Sequence, residues 1–472
     1  MKTAAGPFCH PLLAFACVLV LLQGCGPRPP QEDLLVLTTL PPATREEFAD
    51  GFSRWYRELT GTTVTVRWLT AQGTAEAIDG IRSRNTSGTT AGIDLFFGGG
   101  GDAPFERLSA EGLLAEHNLA DSLLARLPSR TGTVALRDSR WHAAALRSPV
   151  LRYNKRLLDR NALPAPRSLA DLAHRSVQGW VAMGDPRSCG AVHLLYEMIV
   201  QSYGWDRGWD IITRMGANTR AFSPDESAIT KKVALGQAAC GVVLDHGTGI
   251  KHRVSHQPGL VRPFGGGMSI VDGIAVLQGS PRPQRARSFI HYVLGEGQSL
   301  WMLAPGVPGG PQPTPLQHCA LDTSRYSLPA SLRTVYENPG ESLAENTYDH
   351  HRAALRWDIL GDIVAAFIIN PHNDLTRCWH EISRRGLTPQ EYAPYLRLEL
   401  SQREVDLLAP HWSDPSFASQ RVRLMSLWTR RARERYTALF NHWRNTELTD
   451  PRSLHQMGND AAPLSTRGSL PR

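Results

Sequence analysis

The feature that most constrains this chain is an alternation near its start: three short apolar runs, two of them trailed by a helical segment, the third running into four consecutive glycines. Leu34-Leu35-Val36-Leu37-Thr38-Thr39 reads as a buried strand. From Thr44 to Leu59, the residues Phe48, Phe52, Trp55, Tyr56 and Leu59 recur at helical spacing; Thr44 with Glu47 predicts a capping box, and Gly61 a stop. Val64, Val66 and Trp68 alternate as in a second strand, a helix is expected from about Gly73 to Arg84, and Ile93 to Phe97 supplies the third strand. Strands that alternate with helices make a parallel sheet covered by helices. In such sheets ligands sit at the carboxyl ends of the strands. Thr38 and Thr39 end the first strand, and Gly98-Gly99-Gly100-Gly101 ends the third, just before a helix expected near Ala103-Pro104. Glycines there let the backbone approach a ligand closely, so Gly99, Gly100 and Gly101 are candidate binding residues. No Gly-Lys-Ser/Thr follows, which excludes a nucleotide-binding P-loop.

The pattern continues with a strand over Ser148–Asn154, where Tyr153 is placed either to pack or to touch ligand, and another at Trp180–Met183. Asp185-Pro186-Arg187-Ser188-Cys189-Gly190 then opens a long apolar helix running to Tyr203. Free backbone N–H groups and the positive dipole end suit an anion there, which makes Ser188, Cys189 and Gly190 candidates. A strand at Cys240–Leu244 ends in Asp245-His246, and a glycine-rich return leads to a strand from Ile270 that carries Asp272; these three acidic or imidazole side chains are further candidates. Prolines and glycines crowd residues 305 to 315, a boundary signal. Residues 331 to 447 are patterned as helices, and the final stretch is polar and expected to be disordered.

Ahead of the first strand, Pro11 to Leu22 is an apolar run too short to span a bilayer comfortably, and it ends Leu22-Gln23-Gly24-Cys25. Small residues before a cysteine resemble a bacterial lipobox, so Cys25 is expected to carry a lipid, followed by the stiff tether Gly-Pro-Arg-Pro-Pro. Cys189, Cys240, Cys319 and Cys378 contain no CxxC pair, which argues against structural zinc and leaves room for one disulfide. The net charge is +7, but basic and acidic residues are interspersed. The one dense run, Arg430, Arg431, Arg433 and Arg435 around Glu434, reads as a solvated helix face, so no nucleic-acid partner is expected. Neither a GxSxG nucleophile elbow nor HExxH occurs, and the protein is not expected to be an enzyme.

Taken in order, these segments resemble the bacterial extracellular solute-binding proteins related to the ferric-iron-binding group. The motifs are Ile93-Asp94-Leu95-Phe96-Phe97-Gly98-Gly99-Gly100 with Phe105-Glu106-Arg107-Leu108 and Glu111-Gly112-Leu113-Leu114; Val150-Leu151-Arg152-Tyr153-Asn154-Lys155; Met183 to Gly190; Val200-Gln201-Ser202-Tyr203-Gly204; and Gly273-Ile274-Ala275-Val276-Leu277 with Phe289-Ile290 and Trp301. The resemblance implies an α/β, two-lobed type II periplasmic-binding-protein-like fold with a hinge, here followed by a mainly α-helical C-terminal extension. The implied layout is a signal peptide over 1–24, a tether over 25–32, lobe 1 over 33–145, lobe 2 over 146–268, a return to lobe 1 over 269–318, the extension over 319–448 and a tail over 449–472. It implies a ligand held in the interlobe cleft, handed to an ABC permease, with the N-terminal lipid in the membrane. Ferric relatives carry adjacent tyrosines after the strand that here ends at Asp245. This chain has His246-Gly247-Thr248-Gly249 instead, which favours an anionic organic solute. Fe(III) or a metal chelate stays open as the ligand, the metal ligands stay unknown, and no other cofactor is implied. The alternative is a sensory or scaffold lipoprotein using the same fold. His350-His351 and His372 with Asp374 lie in the extension and are not expected to bind metal.

Overall fold

The computed structural model describes residues 32–85, 92–131, 134–188, 190–245, 259–261, 270–335, 338 and 348–449. Nine strands form its principal sheets: β1 (Glu32–Thr38), β2 (Val64–Thr70), β3 (Leu95–Gly98), β4 (Trp141–Tyr153), β5 (Val181–Gly184), β6 (Thr219–Ser223), β7 (Cys240–Asp245), β8 (Gly259–Val261) and β9 (Ile270–Val276). In lobe 1, β1 lies between β2 and β3, parallel to both, and β9 runs antiparallel to β3. In lobe 2, β7 and β5 are parallel, as are β5 and β6.

One strand serves both sheets. The first half of β4 pairs with β9 as far as Arg147 opposite Ile270, and its second half pairs with β7 from Ser148 opposite Asp245. The pivot between the lobes therefore falls at the Arg147–Ser148 bond. The alternation at Ser148–Asn154 revealed only the lobe-2 half of this thirteen-residue strand. Its first half reads Trp-His-Ala-Ala-Ala-Leu and is buried throughout, so no polar–apolar alternation marks it.

The principal helices are α1 (Pro42–Thr60), α2 (Thr74–Asn85), α3 (Ala103–Ala110), α4 (Gly190–Tyr203), α5 (Trp205–Asn218), α6 (Glu226–Ala234), α7 (Pro283–Leu294), α8 (His350–Val364), α9 (His372–Arg385), α10 (Pro389–Leu396), α11 (Gln402–Leu408) and α12 (Ala418–Thr449). The expected capping box at Thr44 is overturned. α1 starts two residues earlier behind Pro41, without a side-chain cap, because proline at the first helical position already has helical φ and lacks the N–H that a cap would satisfy. Glu47 instead accepts the backbone N–H of Gln312 at 2.7 Å, tying α1 to the proline-rich segment.

Two hydrophobic cores result. Lobe 1 packs Phe48, Phe52, Phe96, Phe97, Phe105, Trp141 and Trp301 together, and residues Leu316, Cys319, Leu321 and Val335 join them. The chain thus stays on lobe 1 past residue 319, where the extension was expected to begin. The second core contains lobe 2 and the helical extension in one cluster: Leu194, Ile199, Ile212 and Met215 pack with Ile359, Ile363, Phe367, Trp379, Trp428 and Tyr436. The union is tight. A β-carbon on Gly216 of α5 would overlap the Ile368 side chain. Trp379 Nε1 donates to Asn218 Oδ1 (2.7 Å), and Trp205 Nε1 donates to Leu400 O (2.7 Å). In the basic run, Arg435 is held by Glu399 and Arg397 O with its guanidinium over Phe367, so that residue is packed rather than solvated. Among the described residues no helix is long and apolar enough to cross a membrane.

Candidate functional site

The carboxyl ends of β1 and β3 are laced together by hydroxyls. Thr38 Oγ1 donates to Phe97 O (2.7 Å) and accepts the Leu40 N–H (3.0 Å). Thr39 Oγ1 accepts the Gly99 N–H (3.0 Å), and Thr74 Oγ1, from the start of α2, donates to Gly99 O (2.7 Å). All four glycines have positive φ, between 69° and 115°. Side chains are disfavoured there on backbone grounds alone. Space is short as well: a β-carbon on Gly99 would lie 2.8 Å from the Phe96 ring, which stacks on Phe105.

Across from this loop stands lobe 2, in contact. A β-carbon on Gly101 would lie 2.7 Å from Leu194 of α4, and one on Gly190, the first residue of α4, would lie 2.5 Å from Thr74 Oγ1. One on Gly73 would overlap the carbonyl oxygen of Ser188. The lobes are closed on each other here, glycine against backbone, with the amino end of α4 directed at the glycine loop. Ser188 Oγ lies 3.2 Å from Asp185 O and 3.0 Å from Pro224 O, so its hydroxyl fixes the turn ahead of α4.

The pivot itself carries a buried charge relay. Arg147 donates to Glu226 Oε2 (3.1 Å) and to Asp272 Oδ1 (3.0 Å), with its Nε 2.9 Å from Asp272 Oδ2. Glu226, at the start of α6, also accepts the Leu244 N–H (2.6 Å), and His318 Nε2 lies 3.5 Å from Asp272. Burial alone would raise the Asp272 carboxyl; Arg147 and His318 overcome it and hold it below the usual carboxylate range. Lobe 1 (Asp272), the crossing strand (Arg147) and lobe 2 (Glu226) thus share one ion network.

The structure gathers Thr38, Thr39, Gly99, Gly100, Gly101 and Gly190 at one end of the cleft and puts Asp272 at the pivot. Tyr153 stands apart: it is six residues past Arg147, roughly 20 Å along the strand, opposite Cys240 and packed against the lobe-2 core. Asp245 faces Ser148 in the backbone register. Cys25, Cys189 and His246 lie outside the described residues. Arg147, Glu226, Gly73 and Thr74 were not legible as site residues. The available signal for Arg147 and Glu226 was a charge beside a crossing strand and a charge at a helix start. Among the described residues no three His, Cys, Asp or Glu side chains are grouped to hold a metal. His350 Nδ1 meets Asp102 at 2.6 Å, and His372 Nε2 lies 3.2 Å from Gly216 O. Cys240, Cys319 and Cys378 are buried and form no disulfide; burial pushes the Cys240 and Cys378 thiols up to about 12.

Two α/β lobes joined by a shared antiparallel strand, closing over strand ends and a helix amino terminus, make the type II periplasmic-binding-protein fold. Residues 89–323 match the family described as bacterial extracellular solute-binding protein. A curated relative, the phosphoglycerate transport regulatory protein PgtC of Salmonella typhimurium, is 28% identical over 152 residues, 32% of this chain and 38% of that protein. The chain therefore spans well under half of that relative. Of solved structures, the periplasmic binding protein AfuA of Actinobacillus pleuropneumoniae, with exogenous fructose-6-phosphate bound, superposes with a TM-score of 0.56 at 15% identity, over 76% of this chain and all of that one. Apo ferric ion-binding protein A of Pasteurella haemolytica superposes at 0.51 and 16% identity, over 71% and 96%. At those identities the likeness is one of fold.

Proposed function

We propose that this protein is an extracytoplasmic, lipid-anchored solute-binding protein that captures a small organic anion, carrying phosphate or carboxylate, between its lobes and delivers it to an ABC importer. The observation that carries this reading is the closed contact between the glycine loop at the end of β3 and the amino terminus of α4. The helix end supplies free backbone N–H groups and a positive dipole, where negative charge is favoured, and the side-chain-free loop lets a ligand come close to it. The sugar phosphate in the AfuA structure and the phosphoglycerate in the name of PgtC support the same ligand chemistry. A ligand there gains from closure because the two lobes bury it together.

The test is a thermal-shift and calorimetric screen of residues 27–472 with 3-phosphoglycerate, fructose-6-phosphate and Fe(III)-citrate. A ligand that binds only the folded state stabilises it by about 2.7 kcal/mol at a hundredfold excess over Kd. A shift with either phosphorylated compound, absent with Fe(III)-citrate, is the expected result. A shift with Fe(III)-citrate alone refutes the organic-anion reading. A second reading is a sensory lipoprotein, favoured by the extension sharing one core with lobe 2 and by the word "regulatory" in the name of PgtC. Pull-down with a permease rather than a receptor decides between them.

A further inference from the structure

Outside the glycine loop, lobe 1, lobe 2 and the extension enclose a cavity of about 370 Å³. Lobe 1 contributes Arg82 of α2 and Arg107 of α3, lobe 2 contributes Arg187, and the extension contributes Asp358 and Asp362 of α8 with Arg421 of α12. Ile78 and Trp357 give it one apolar wall.

The two acceptors that the extension brings to this cavity are engaged with the protein itself. Asp358 takes both terminal nitrogens of Arg107 (2.8 and 3.2 Å) and the Ser413 hydroxyl. Asp362 Oδ2 takes Trp412 Nε1 (2.8 Å) and Arg421 Nε (2.7 Å). The donors are not spent. A guanidinium has five N–H groups. Arg187 reaches Asp185 through Nε and Nη2, and Arg421 reaches Asp362 through Nε. Among the described contacts, Nη1 of Arg187 and both terminal nitrogens of Arg421 keep their N–H groups for another acceptor. These side chains remain 42% and 40% exposed while lining the cavity. Four arginines stand against Asp79, Asp358 and Asp362, with Asp185 and Glu111 just behind them. The charges nearly cancel, so recognition rests on oriented donors rather than on net field. Planar guanidinium forks match phosphate and carboxylate oxygens in particular.

We propose that this cavity is a second ligand site, for a small organic anion with a phosphate or carboxylate group and an apolar or sugar body. Its walls come from three bodies, so an anion bound there stabilises the closed lobes with the extension docked, and acts as an effector of closure. It borders the closed Gly73–Ser188 contact but is lined by none of the cleft residues named above, and it holds or fails independently of which solute the cleft takes.

The test is calorimetry of residues 27–472 with inorganic phosphate and with citrate, repeated in saturating cleft ligand where the screen has found one. Saturable binding of either probe is expected, undiminished by the cleft ligand and weakened at least tenfold by Arg187→Gln with Arg421→Gln. The proposal is overturned if neither probe binds, if binding survives in the double variant, or if the cleft ligand displaces the probe. Should the double variant fail to fold, Ser413→Glu places a carboxylate in the cavity from an exposed position and must abolish binding.

Discussion

Gly73 precedes α2 on lobe 1, and nothing in its own backbone demands glycine: it is absent from the positive-φ glycines. What demands glycine is the other lobe, because a β-carbon there would overlap Ser188 O. Gly73→Ala is therefore a closure mutant with an intact lobe. To restore a normal contact the two backbones must part by more than an ångström. Overpacking of this kind costs about 1–3 kcal/mol, and it falls on the closed state alone. At 2 kcal/mol the closed-to-open ratio drops about thirtyfold, and a ligand that needs the closed state loses up to that much affinity. Alanine is also a poorer helix cap than glycine, by up to about 1 kcal/mol. Gly73→Ser separates the two effects: it restores a cap but keeps the β-carbon. Calorimetry with the cleft ligand should show both variants weakened by about ten- to thirtyfold. Small-angle scattering should show both expanded without ligand, while only the alanine variant melts earlier. Unchanged affinity with unchanged scattering would refute the closed contact between Gly73 and Ser188.

Asp358→Ala removes the paired hydrogen bonds that join α8 to Arg107 of lobe 1; both side chains are largely buried, at 28% and 16% exposure, and the expected cost is about 1–3 kcal/mol. Differential scanning calorimetry and scattering should show lower stability and a more open molecule, and wild-type behaviour would mean that α8 is held by lobe 2 alone. Burial lowers the pKa of His142 and of His193 to about 3. Each ring binds fewer protons folded than unfolded, so stability is full above about pH 6.5 and falls as pH drops toward 3, by on the order of 1–2 kcal/mol per ring at pH 5. His193 packs against Trp357 of the extension, with ring centroids 4.0 Å apart and the planes tilted by 32°. His193→Phe keeps that packing and should flatten the acid limb of a urea-denaturation series, and an unaltered slope would place the acid sensitivity elsewhere. Cys25→Ala should release the protein from membranes in cell fractionation, and continued membrane association would end the lipid-anchor expectation.

Much of the fold was legible because the patterns that report it are local. The β1–α1–β2–α2–β3 alternation and the glycine run are each marked by their own local sequence, while the two-lobed architecture was implied by the family that these segments resemble. The glycine loop and the start of α4 were legible as places where backbone could meet a ligand. Arg147 was not, since its significance lies in pairing with Glu226 and Asp272, 79 and 125 residues away. A charge beside a crossing strand looks the same whether it ends in solvent or in a buried network. Gly73 was illegible for a related reason: its constraint comes from Ser188 on the opposite lobe.

The extension shows the same limit at larger scale. Its helical spacing joined Leu355, Ile359, Ile363, Ala366 and Phe367 without saying what they cover, and of these Leu355 stays exposed while the others are buried. The answer lies on lobe 2, where Gly216 of α5 has no side chain and Ile368 occupies the space. α8 packs on α4 of lobe 2 through the buried Arg356–Glu197 ion pair and the tilted contact of His193 with Trp357, and it reaches lobe 1 as well. There Asp358 and His350 find Arg107 and Asp102. A helix rooted in one lobe by hydrophobic burial and joined to the other by ion pairs resists opening mainly through those ion pairs, and a single substitution at Asp358 removes the one to Arg107 while leaving His350 on Asp102.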